Sequence, residues 1–220
     1  MHTVTLKPIH AHHNTIKSTK MMPKTMRAVF WEGKPFHVSV KDTPVPTIQT
    51  PDDAIVRLTT AAICGSDLHT FHGKFGSPTP PWGMGHEGIG VVVEVGDAVS
   101  TIKVGDWVIV PDSPDDGHLN LTPPTDEQQG IFGFGPILGN LGGLQGTWIF
   151  FCVRIKLTRE KAEYARCPFA DKSLIPVSEK LAREQPLDLV LLSDIWPTAW
   201  TCLDFSGFQP GDSVAIFGAG

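Results

Sequence analysis

The chain has 220 residues, 41% of them hydrophobic and 19% charged, with a formal net charge of −5. These proportions are ordinary for a globular protein and give no reason to expect nucleic acid or an anionic membrane as a partner. No apolar run reaches the roughly 18 to 20 residues a membrane span needs, and 22 glycines with 19 prolines favour turns and short strands over long helices.

Residues 1–25 differ from the rest. Up to Lys24 they hold four lysines and four histidines and neither Asp nor Glu. Such a segment is expected to be a disordered extension, and Met21, Met22 and Met26 offer later starts just ahead of the first apolar run. Cys64, Cys152, Cys167 and Cys202 show no CxxC spacing, which fits reducing surroundings and the cytoplasm. A mitochondrial presequence is the alternative raised by the basic extension, although such segments favour Arg and the first here is Arg27.

From residue 26 the pattern predicts strands at 26–30, 54–58, 90–95 and 107–110, each bounded by Gly, Asp or Pro. Short strands at close spacing suggest a barrel or sandwich. Near the end, Pro210-Gly211-Asp212 predicts a turn and residues 213–217 a strand running into Gly218-Ala219-Gly220.

Two clusters carry chemistry: Cys64-Gly65-Ser66-Asp67-Leu68-His69 and Gly85-His86-Glu87-Gly88-Ile89-Gly90. A thiolate and an imidazole are good zinc ligands, and a catalytic zinc takes three protein ligands with a fourth position open. Either cluster alone is weak evidence, because a single Cys is more often a small buried hydrophobe. The run from Gly85 to Val99 is more specific: Gly-His-Glu, then Gly90, Gly96 and Val99 at fixed spacing. This run resembles the signature of zinc-dependent medium-chain alcohol dehydrogenases. The stretch Val110-Pro111-Asp112 onward, with Asp115-Asp116-Gly117-His118, looks most like their glutathione-independent formaldehyde dehydrogenase branch.

The resemblance implies a mainly β fold, a GroES-like barrel over residues 26–188, followed over 189–220 by only the first strand of a Rossmann domain. It implies zinc held by Cys64 and His86, with Asp194 of Leu192-Ser193-Asp194-Ile195 as third ligand. Thiolate plus carboxylate would balance the 2+ of the ion; the alternative for Asp194 is a helix N-cap. Asp67 resembles the carboxylate that orients the ligand histidine. Glu87 matches a glutamate that binds the metal transiently in the family, or it is the buried partner of an arginine. Ser66 and His69 match the proton relay from a zinc-bound alcohol, whose hydride would pass to NAD.

Gly218 and Gly220 resemble the start of the dinucleotide fingerprint G-x-G-x-x-G. Its third glycine, helix and acidic residue do not follow them in the sequence, so this chain is not expected to bind NAD. Residues 112–143 contain no Cys, so one catalytic-type zinc and no structural zinc is expected. Relatives run from Gly-Gly-Leu-Gln directly into Ala-Glu-Tyr-Ala-Arg; here residues 146–161 intervene. They are expected to be an aberrant insertion, of the kind a retained intron translated in frame would leave. The alternative is a genuine surface hairpin or helix, whose Trp148-Ile149-Phe150-Phe151 would be an aggregation hazard.

Three functions compete. The first is an oxidoreductase acting on a small alcohol or aldehyde, with neither nucleic acid nor membrane as partner and with the homo-oligomeric habit of the complete family enzymes. The second is an inactive zinc-binding fragment. The third, a zinc-free quinone reductase of the same superfamily, is disfavoured by Cys64 together with His86-Glu87.

Overall fold

The computed structural model describes residues 22–117, 130–135, 144 and 164–217. The expected insertion at 146–161, Gly218 and Gly220 lie outside the described residues, as does most of the expected extension over 1–25.

Two antiparallel sheets organise the chain. In the smaller, β1 (Thr25–Trp31) pairs on one side with β2 (Val38–Pro44) and on the other with the two-residue β4 (Trp82–Gly83). The larger has the order β7-β3-β5-β6-β8, from β3 (Ala54–Ala61), β5 (Gly88–Val95), β6 (Trp107–Val110), β7 (Tyr164–Cys167) and β8 (Ile175–Val177). Strand β3 is buried at three consecutive positions because both its faces are covered. Val56 and Leu58 join Val92, Val108, Val110, Phe132 and Leu144 on one face. Ile55 joins Val45 and Tyr164 on the other. Alternation is therefore weak in the sequence, as expected for a strand between two apolar layers.

The β3–β5 pair is close-packed at Gly90, which lies opposite Leu58. A Cβ there would stand 2.4 Å from the Arg57 carbonyl oxygen, so the glycine is needed for the approach of two backbones. Strand β7 is tied to the start of β3 by a buried ion pair, Arg166 Nη1 to Asp53 Oδ1 at 3.1 Å. The Asp53 carboxylate also accepts from the Gln49 and Thr50 amides. Those added bonds offset part of the desolvation that makes a bare buried pair costly.

Five helices complete the described structure: α1 (Gly65–Phe71), α2 (Ala170–Ser173), α3 (Glu179–Glu184), α4 (Pro186–Val190) and α5 (Ile195–Phe205). A 3₁₀ turn, Leu191–Ser193, links α4 to α5. Among the described residues no helix is long and apolar enough to cross a membrane.

The structure corrects the fold expectation in two respects. Neither sheet closes into a barrel: β7 and β8 are open edges of the larger sheet, and β2 and β4 bound the smaller one. Closure requires the outermost strands to pair with each other. Pro176 at the centre of β8 has no N–H to offer, which suits an edge strand. The second correction concerns residues 213–217, which form no strand. Ile216 and Phe217 are exposed and no described strand lies beside them. β-Propensity alone does not hold an extended segment whose N–H and C=O groups face water.

Away from the sheets, Asp171 at the start of α2 gathers the loop after β5. Its carboxylate accepts five hydrogen bonds, from the amides of Ser100, Thr101 and Ile102 and the hydroxyls of Ser100 and Thr101. Slight burial opposes ionisation, but these donors outweigh it and hold the carboxyl well below the usual range. Asp171→Ala is expected to lower stability by about 1–2 kcal/mol, modest for five bonds because the loop is solvated. The contribution is complete above its ordinary pKa of about 4 and is lost as the pH falls further. Urea melts of both proteins at pH 7 and pH 3 check this, the difference shrinking at pH 3. Gly90→Ala should cost more than Asp171→Ala in the same melts, because the new methyl meets backbone.

Candidate metal centre

Three strand ends meet at one end of the larger sheet. Ala61, the last residue of β3, pairs with Gly88, the first of β5, and Gly88 pairs in turn with Val110, the last of β6. Cys64 follows β3 by three residues and His86 precedes β5 by two, so the antiparallel register brings them together. Past β6, the Asp112 amide donates to the Ser193 carbonyl at 3.1 Å. That bond docks the 3₁₀ turn and delivers the next residue, Asp194, to the same place.

The result is a cluster in which one ligand atom each from Cys64, His86 and Asp194 lies within 4.8 Å of the others. His86 and Asp194 already touch, Nε2 to Oδ2 at 3.0 Å. Asp194 stands at the N-cap position of α5, yet its side chain makes no capping bond to the helix backbone. Its Oδ1 instead accepts from the Thr198 hydroxyl at 2.9 Å, leaving Oδ2 directed at His86. The N-cap alternative therefore describes its place in the chain, while the carboxylate serves the cluster.

Asp67 ties the other two residues together. One oxygen accepts from the Cys64 amide at 2.9 Å, closing the first turn of α1. The other lies 3.4 Å from His86 Nδ1. Both His86 and Asp67 are almost wholly buried. Burial by itself depresses the basicity of His86, but Asp67 first, then the Cys64 side chain and Asp194, outweigh it and raise the pKa to about 10. The two carboxylates on either side thus favour the protonated imidazole when no metal is bound. Burial pushes the carboxyls of Glu87 and Asp112 above the usual range, with Asp194 adding to the effect.

The donor set fits zinc. One thiolate, one imidazole and one carboxylate are its ordinary ligands, and a tetrahedral ion spaces such atoms about 3.3–3.6 Å apart; here the His86 and Asp194 atoms are 3.0 Å apart and all three lie within 4.8 Å. A second observation agrees. Glu87 is 1% exposed and its Oε1 has no hydrogen-bond partner, a buried acceptor beside the cluster for which a nearby cation is the natural compensation. No arginine contact to Glu87 is found among the described residues.

The other expected site residues fall as follows. Ser66 Oγ lies 3.1 Å from His86 Nε2, inside the cluster. His69 is on α1, three residues further along and exposed; no hydrogen bond joins it to Ser66 among the described residues. Gly218 and Gly220 are outside those residues. Asp112, Thr198 and Phe134, whose ring lies 4.9 Å from that of His86, also belong to the surroundings of the cluster. Sequence spacing gave no sign of Phe134. Asp112 could have been suspected from its place directly after a strand that ends at the site.

The chain resembles known proteins over most of its length. The family "Alcohol dehydrogenase GroES-like domain" matches residues 50–153. The zinc-type alcohol dehydrogenase-like protein AdhB of Bacillus subtilis is 32% identical over 206 residues, covering 89% of this chain and 50% of that protein. The glutathione-independent formaldehyde dehydrogenase of Pseudomonas aeruginosa is 34% identical, covering 88% of this chain and 48% of that one. Among solved structures, alcohol dehydrogenase TADH from Thermus sp. ATN1 superposes with a TM-score of 0.67 at 36% identity, over 89% of this chain and 51% of that one. The chain spans about half the length of these relatives. With its signature residues, its metal-competent cluster and these likenesses, the chain belongs to the zinc-type medium-chain alcohol dehydrogenase family.

Proposed function

We propose that Cys64, His86 and Asp194 hold one zinc ion and that the site is the zinc-bearing part of an oxidoreductase acting on a small alcohol or a hydrated aldehyde, whose hydride acceptor, a nicotinamide cofactor, is held by the complete family enzyme and is not expected to bind this chain alone. The observation that carries this is the convergence of a thiol, an imidazole and a carboxylate, 130 positions apart in sequence from first to last (194 − 64). Zinc, when bound, supplies a Lewis acid that makes a substrate hydroxyl acidic.

The chain's own residues do the rest. Asp67 holds the ring of His86 so that Nε2 faces Cys64 and Asp194. Ser66, already beside Nε2, is placed to take a proton from a hydroxyl bound at the open position. His69 lies further along the same helix face and would receive that proton at the solvent edge. The carboxylate ligand Asp194, and the likeness to the Pseudomonas aeruginosa enzyme, favour the formaldehyde dehydrogenase-like branch.

A second reading is a zinc-binding domain without turnover of its own. It draws on α5, where Trp196 and Trp200, stacked at 5.4 Å, are 52% and 60% exposed, an apolar surface unusual for a finished enzyme. Zinc binding together with zinc-dependent alcohol oxidation by the complete enzyme supports the first reading; zinc binding without any oxidation supports the second. Protein that takes up no zinc sinks both.

The zinc site generates two expectations. Metal analysis should find one zinc bound at this site, which shields Cys64 from alkylation; His86→Ala or Asp194→Ala should abolish the shielding, whereas Asp67→Asn should weaken zinc binding about 10- to 100-fold. Binding must also displace the proton on His86, so that proton alone should lower zinc affinity about tenfold per unit as the pH drops below the raised pKa, in addition to the dependence contributed by the ligand thiol's proton. The metal-free protein should behave conversely. A raised pKa stabilises it fully below the ordinary value of about 6.5, and that stability is lost as the pH climbs towards about 10. Chelator competition between pH 6 and 9 and thermal melts of apo protein check the two slopes.

A further inference from the structure

His86 is buried, and its hydrogen bonds do not by themselves fix the ring. The Nε2 side faces Asp194 and Ser66, but both contacts share one nitrogen, so the imidazole could pivot about it. On the opposite side Asp67 stands 3.4 Å from Nδ1, beyond good hydrogen-bond length. That long contact directs Nδ1 towards Asp67 and leaves the tilt of the ring about this direction to a further group. The ring of Phe134 packs against it, with ring centroids 4.9 Å apart and planes inclined by 34°, a tilted aromatic contact within the range of favourable ring pairs.

Phe134 is itself tightly held. It is 3% exposed. Its carbonyl accepts from the Ser77 amide at 2.9 Å, and the Gly133 carbonyl before it accepts from Trp82 Nε1 at 3.2 Å. Gly133 has φ +81°, and a Cβ there would stand 2.5 Å from the Gly85 backbone. The segment therefore lies directly on the residue preceding His86. Phe75 packs edge-on against Phe134, at 5.1 Å and 73°. Two bonds to backbone carbonyls and a glycine close approach hold the segment whose side chain meets the imidazole.

We infer that Phe134 is a positioning residue: it locks the plane of the His86 imidazole with Nε2 towards Cys64 and Asp194, and so sets how tightly the site holds zinc. Removing the ring would free the imidazole to rotate about its Nε2 contacts, and the metal would then have to bear the cost of re-ordering it. The inference rests on the zinc site proposed above for its effect on affinity, but the ring position itself is a property of the metal-free protein.

The test uses Phe134→Leu, which keeps the position apolar and filled, with Phe134→Tyr as the conservative variant and Phe75→Ala as the control for the outer ring. In metal-free wild-type protein the ring protons of His86 should show one set of ring-current-shifted NMR signals. Phe134→Leu should lose the shift and broaden the signals; Phe134→Tyr should retain both. Zinc affinity by chelator competition should fall about 10- to 100-fold in Phe134→Leu, stay within about twofold of wild type in Phe134→Tyr, and change little in Phe75→Ala. A folded Phe134→Leu protein with unchanged His86 signals, or with wild-type zinc affinity, overturns the inference. Wild-type protein that binds no zinc would remove the metal-site proposal, and the metal-free spectra would still decide whether Phe134 positions the ring.

Discussion

Everything at the site depends on the antiparallel pairing of β3 with β5. That register places Ala61 against Gly88, so the chain leaving one strand and the chain entering the other are neighbours, and Cys64 and His86 follow from it. The pairing needs Gly90, because any side chain there would strike the Arg57 carbonyl. A glycine in the recognition signature is therefore a condition for two backbones to approach, and through them for two side chains to meet. The third member arrives by a different route. Asp194 is delivered by the backbone bond between Asp112 and Ser193, which fastens the 3₁₀ turn to the end of β6, and by Leu189 and Val190, which pack on Ile89 and Ile109.

Asp67 shows how few groups such a site uses. A single buried carboxylate closes the first turn of α1 through the Cys64 amide and faces the imidazole of His86. Helix capping and ligand orientation are thus the same interaction. A change that spoiled one would spoil the other, which is why a substitution there should act on metal binding and on local structure together.

The sequence made part of this legible. Strands β1, β3, β5 and β6 stood out because each has a run of apolar residues long enough to show between turn residues. Strand β2 did not, since Val40, Lys41 and Asp42 at its centre are exposed. Strand β8 is Ile-Pro-Val, only three residues long and mostly exposed, too short a run to stand out. The barrel was inferred from family resemblance and strand spacing, neither of which encodes whether outer strands pair. Residues 213–217 failed because a strand is made by its neighbours, which propensity cannot see. At the site, the residue types and the local motif were readable, and Cys64, His86 and Asp194 do converge. Phe134 was not readable: its contact with His86 depends on Trp82, Ser77 and Gly85, brought together only in three dimensions.

The contact between His86 and Asp194 has a consequence for the life of the protein without its metal. The raised basicity of His86 between Asp67 and Asp194 lets a proton on the imidazole replace part of the charge of a departing ion. A second proton, returned to the ligand thiol, would replace the rest of its 2+ charge. Emptying and refilling would then exchange one doubly charged ion for two hydrogen ions, on a scaffold that the strand pairing holds in place.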